Sequence, residues 1–96
     1  MLYMLYMLTR YTRGNGIYYL MELKDKRIAT CGYDNSISIV SLDYETKKWK
    51  QDIKKVNAHS NYIASLCELG NDRLVSGSRD CTIKIWNITP NDLNLL

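Results

Sequence analysis

Slid along itself by 46 positions, the chain lies over itself without a gap, Ile17–Leu42 upon Ile63–Ile88. "IYYLMELKDKRIATCGYDNSISIVSL" then faces "IASLCELGNDRLVSGSRDCTIKIWNI". The pairs Ile17/Ile63, Leu20/Leu66, Glu22/Glu68, Leu23/Leu69, Arg27/Arg73, Asp34/Asp80, Ile37/Ile83 and Ile39/Ile85 are identical, and most others are similar. This internal repeat limits the fold more than any other feature. A repeated unit cannot bury its apolar face alone and has to stack on a neighbour.

Each unit reads as short strands separated by turn signals. The expected strands are Ile17–Leu23 and Tyr62–Leu69, then Arg27–Cys31 and Arg73–Gly77, then Ser36–Ser41 and Thr82–Asn87. Lys24–Lys26 and Gly70–Asp72 supply the first turns. Thr46–Ile53 reads as a fourth strand at a half-exposed edge, with Trp49, Gln51 and Ile53 on one face and Lys48, Lys50 and Asp52 on the other. The 3.6-residue apolar period of a helix is missing, and β-branched and aromatic residues dominate the periodic segments. Four antiparallel strands in a unit of this length make a β-propeller blade. The expected fold class is therefore all-β, a partial β-propeller of about two four-stranded antiparallel blades.

In this reading residues 1–16 are the outer strand of a preceding blade and a linker. Residues 17–53 form the first blade, and 54–96 a second blade truncated in its outer strand. Met1–Met7 falls where the fourth strand would repeat upstream, and Leu93 where it would repeat downstream, so both ends read as cut from a longer array. A ring takes typically 4–8 blades. Two are expected to be unstable or self-associating when made alone, for want of neighbours to cover their apolar faces.

Composition adds exclusions. With 13 basic and 10 acidic residues the net charge is +3, too small to single out an acidic partner. Lys47, Lys48, Lys50, Lys54 and Lys55 form the densest basic run, which reads as a solvated strand edge that discourages edge-to-edge pairing rather than as a nucleic-acid contact. "MLYMLYML" lacks the basic start and small-residue cleavage site of a secretory signal. It is also far short of the roughly 20 apolar residues of a membrane span. Cys31, Cys67 and Cys81 have no C-x-x-C spacing and an odd count, so they read as buried free thiols in a reducing compartment, cytoplasmic or nuclear. No metal and no cofactor is expected.

The chemistry-bearing residues gather in the second unit. His59 is the sole histidine, and Ser76 and Asp80 follow within "SGSRDCTIKIWN". These are the residue types of a hydrolytic triad. A triad needs an exposed nucleophile, an oxyanion hole and a cleft. Ser76 falls mid-strand, with no G-x-S-x-G elbow around it.

"AHSNYI" at Ala58–Ile63 and "SGSRDCTIKIWN" at Ser76–Asn87 together resemble the WD-repeat family. Ala58 stands in the place of the glycine of its glycine–histidine start, and Asn87 where aspartate usually follows tryptophan. The resemblance implies a structural tetrad of His59, Ser76, Asp80 and Trp86, hydrogen-bonded inside the blade. The first unit is degenerate: Thr30 and Asp34 match, but Arg13 stands in the histidine place and Val40 in the tryptophan place.

The resemblance further implies a non-enzymatic scaffold for protein–protein contacts. The alternatives are a propeller piece of a larger enzyme or ubiquitin-ligase receptor, or an RNA-processing scaffold. Family contact positions fall on Tyr62, Ala64 and Arg79, and in the first unit on Gly16, Tyr18 and Tyr33. Of these, Tyr18, Tyr33, Tyr62 and Arg79 have side chains of the kinds enriched in binding hot spots. The implied partners are other proteins, together with further blades in cis or other copies of the chain. Nucleic acid and membrane are not implied.

Overall fold

The structure, a computed structural model, describes residues 16–96. The expectations for Met1–Met7 and Arg13 lie outside the described residues. Two four-stranded antiparallel sheets follow one another along the chain, in the orders β1-β2-β3-β4 and β5-β6-β7-β8. The first holds β1 (Ile17–Glu22), β2 (Ile28–Gly32), β3 (Ile37–Asp43) and β4 (Lys48–Lys55). The second holds β5 (Ile63–Leu69), β6 (Arg73–Ser78), β7 (Ile83–Ile88) and the short β8 (Leu93–Leu95). The pair is an unclosed partial β-propeller of two blades.

The repeat in sequence is also a repeat in backbone. Positive φ angles recur at matching turn positions, Lys26 with Asp72 and Asn35 with Cys81. Each first hairpin carries a bulge at its start, between Ile17 and Tyr19 and between Ile63 and Ser65. The bulge leaves Tyr18, or its counterpart Ala64, without a ladder partner and re-aims it.

One expectation is corrected. β4 does not alternate evenly, because Ile39 pairs with Ile53 while its neighbour Val40 pairs with Gln51. Asp52 is the extra residue of this bulge, and one extra residue exchanges the two faces of everything beyond it. Ile53 therefore joins the core between the sheets, whereas Trp49 packs on the opposite side of the first sheet against Ile28 and Val40.

The main core lies between the sheets. Ala29, Cys31, Ile37, Ile39 and Ile53 from the first meet Ile63, Leu66, Leu74, Trp86 and Leu93 from the second, all buried. Polar ties pin the seam. Ala58 N–H donates to Asn35 O (3.0 Å), Lys24 N–H to Glu68 Oε1 (2.9 Å) and Cys31 Sγ to Ile63 O (3.4 Å). Burial pushes the Cys31 thiol up to about 12, against the Tyr19 backbone bond that lowers it, so it stays a thiol. The expectation of three buried thiols fails for the other two. Cys67 and Cys81 are exposed, one on the outer face of the second sheet and one in the β6–β7 turn.

Candidate functional site

β6 and β7 set the register of the second unit's polar cluster. Ser76 pairs with Leu66 on one side and Lys84 on the other, and Trp86 pairs with Leu74. Ser76 and Trp86 therefore point to the same face, the one against the first sheet. Ala58 and His59 arrive from the β4–β5 connection. Lys84 Nζ donates to Ala58 O at 2.8 Å and fixes the backbone one residue before the imidazole.

The four side chains meet in one chain of hydrogen bonds. Trp86 Nε1–H donates to Ser76 Oγ at 2.8 Å. Ser76 Oγ lies 2.7 Å from His59 Nε2, and His59 Nδ1 lies 2.9 Å from Asp80 Oδ2. A carboxylate only accepts, so Nδ1 carries the proton and Nε2 accepts from the Ser76 hydroxyl. Ser76, His59 and Trp86 are 0%, 2% and 2% exposed. Buried polar groups of this kind are costly unless partnered, and here each has its partner.

This arrangement is not catalytic. The Ser76 hydroxyl is fully buried, its hydrogen is committed to His59 and its oxygen accepts from the indole. A substrate carbonyl has no approach to it. Among the described residues no group of three or more His, Cys, Asp or Glu side chains could hold a metal ion.

Thr82 and Ser78 complete the cluster and were not singled out in the sequence. Thr82 Oγ1 donates to Asp80 Oδ1 at 2.6 Å, and its N–H donates to the same oxygen at 2.9 Å. Ser78 Oγ donates to Tyr62 O (2.9 Å) and accepts from Asp80 N–H (3.0 Å), tying the β6–β7 turn to the start of β5. The available signal was the repeated Asp-x-Ser/Thr, since Ser36 makes the same two bonds to Asp34.

Asp80 is held well below the usual carboxylate range, first by the Thr82 hydroxyl, against a partial desolvation that works the other way, then by His59 and by the Ser60 and Thr82 N–H groups. A lowered folded-state value contributes stability above the unfolded value of about 3.9, and the contribution is lost as pH falls below it. Urea titrations of the wild type and Asp80→Asn between neutral and acid pH should therefore show a flatter acid slope for the variant. Parallel slopes would show that Asp80 binds its proton equally well folded and unfolded.

The first unit has half of this apparatus. Thr30 is buried, and Asp34 accepts from Ser36 and lies 3.8 Å from Lys54 Nζ. Val40 is buried against Ile28. Trp49, from the neighbouring strand, packs on this pair and restores apolar volume where the tryptophan is missing, but its indole N–H has no hydrogen-bond partner among the described residues.

The four surface candidates are also placed. Tyr33 meets Tyr18 edge-on at 5.3 Å between centroids and Tyr62 at 4.9 Å, so three rings run from the first sheet to the second. They are 49% (Tyr18), 50% (Tyr33) and 38% (Tyr62) exposed. Arg79, exposed, donates its N–H to Tyr62 O at 2.9 Å. Gly16 makes room for the run, since a Cβ there would lie 2.8 Å from Tyr33 Cδ2.

Residues 50–87 match the family model described as "WD domain, G-beta repeat". A 63-residue stretch is 38% identical to the U4/U6 small nuclear ribonucleoprotein PRP4 of Saccharomyces cerevisiae (strain ATCC 204508 / S288c), which covers 65% of this chain. The chain spans 12% of the length of that relative.

Proposed function

We propose that the chain is a piece of a WD-repeat scaffold that binds other proteins through the end of the two sheets carrying Tyr18, Tyr33, Tyr62 and Arg79. The observation that carries this reading is the continuous run of three half-exposed tyrosine rings across the seam. Tyrosine offers a large amphipathic contact at low entropic cost, and arginine adds a charged fork beside it. His59, Ser76, Asp80 and Trp86 have the structural part: they hold the β4–β5 connection and the β6–β7 turn together, and so keep Tyr62 and Arg79 in place. Three free thiols, two of them exposed, suit a reducing compartment, cytoplasmic or nuclear.

The similarity to a ribonucleoprotein component favours a second reading, a scaffold in RNA processing. The lysine run lends it little support. Lys50, Lys54 and Lys55 lie 4.0, 3.8 and 3.6 Å from Asp52, Asp34 and Asp92, respectively. Carboxylates at those distances reduce the field a phosphate backbone would meet.

Peptides selected from a random display library on the immobilised chain provide the test. Tyr62→Ala combined with Arg79→Ala should weaken the selected peptides by about tenfold or more, with little change in the thermal midpoint. An equal loss of stability would mean that these side chains pack loops. Unchanged binding would move the partner surface elsewhere.

A further inference from the structure

Beside the tyrosine run, the carboxylates and the amide oxygen are already engaged within the chain. Asn61 Oδ1 accepts from Tyr62 N–H at 2.7 Å, so what this side chain still offers is its amide N–H₂. Asp80 has one oxygen on Thr82 and the other on His59 and on Ser60 N–H, at 3.1 Å. Asp34, next to Tyr33, accepts twice from Ser36 and faces Lys54 Nζ at 3.8 Å.

The strongest donor is not engaged in the same way. Arg79 is exposed, and among the described residues no carboxylate lies within ion-pair distance of its guanidinium. A guanidinium only donates, through a planar fork of N–H groups. The Arg79 N–H bonds to Tyr62 O, which roots this fork at one end of the ring run.

On the reading of this end as a partner surface, we infer that the partner is a protein presenting an acidic segment. An Asp or Glu carboxylate of that segment sits on Arg79, and apolar side chains beside it lie on Tyr18, Tyr33 and Tyr62. Half-exposed rings gain from apolar cover, and a guanidinium gains most from a carboxylate that takes two parallel N–H bonds. A phosphorylated segment is matched less well, because its recognition draws on clustered arginines. Arg27 and Arg73 stand at the opposite ends of β2 and β6. A single strand of nucleic acid needs a basic groove and rings on which its bases stack. Here Lys54 faces Asp34, and the rings stand edge to face, at 75° and 85° between planes.

Linear peptides selected from a random display library on the immobilised full chain are the probe. Those released by Tyr62→Ala should be rich in Asp and Glu. Replacing the shared acid of such a peptide by its amide should weaken binding by about tenfold or more, and Arg79→Glu should do the same. A peptide with lysine in place of the acid should then bind the Arg79→Glu chain better than the wild type, which a misfolded variant would not reproduce. Peptides released by Tyr62→Ala that carry no acid and ignore Arg79→Glu would overturn the inference and leave the tyrosine surface standing. Peptides indifferent to Tyr62→Ala would overturn both. Tighter binding of a phosphoserine version of the peptide, or of a single-stranded oligouridine, would also overturn the inference.

Discussion

Trp86→Ala is expected to destabilise the chain by about 3–5 kcal/mol in urea denaturation, the range of large aromatic truncations in a core. The indole is 2% exposed and lies in the core between the sheets. Its N–H also supplies Ser76 Oγ at 2.8 Å. Domains hold only about 0.05–0.15 kcal/mol per residue, so the loss is a large part of the total for a chain this short. Trp86→Phe separates the two contributions. It keeps most of the apolar contact and removes the donor, and should cost about 1–2 kcal/mol, since Ser76 keeps its bond to His59. A near-zero loss for Trp86→Ala would mean that the second sheet is not closed around the ring.

Gly32→Ala should be nearly as damaging, at about 3 kcal/mol, the upper end of the usual overpacking cost. A Cβ on Gly32 would run into the carbonyl oxygen of Gly16, with Gly16 C at 3.2 Å and Tyr18 N at 3.4 Å. These are backbone atoms at the bulge that starts β1, and they cannot swing aside as a side chain would. The bulge has to move, and Tyr18 with it, so the near-ultraviolet circular dichroism of the tyrosines should change along with the urea midpoint. Gly77→Ala is the control. Among the described residues its added Cβ would meet only Ser65 Oγ at 3.4 Å, and the change should stay within about 0.5 kcal/mol. Equal effects at the two glycines would refute the steric account.

The repeat period and the strands were legible in the sequence because each depends on local pattern. Alternating apolar residues and turn residues set β1–β3 and β5–β7 to within a residue or two at each end. His59, Ser76, Asp80 and Trp86 were singled out by the resemblance of "AHSNYI" and "SGSRDCTIKIWN" to the WD-repeat family; Ser76 and Trp86 lie on β6 and β7, His59 and Asp80 in the connections between strands. Other features belong to the tertiary structure. The bulge at Asp52 sends Trp49 and Ile53 to opposite faces, and nothing in "TKKWKQDI" marks where the extra residue falls. The tyrosine run joins Tyr18 and Tyr33 of one unit to Tyr62 of the other, which occupies the place that Gly16 has in the first unit. Contact between non-equivalent positions leaves no trace in a repeat. Ile37 and Ile83 are the same residue at the same place in the unit, yet one is 0% and the other 75% exposed. The sequence alone determined that both belong on an apolar sheet face. Burial depends on what lies opposite that face, so only the packing of the sheets decided that Ile37 meets the second sheet and Ile83 meets solvent.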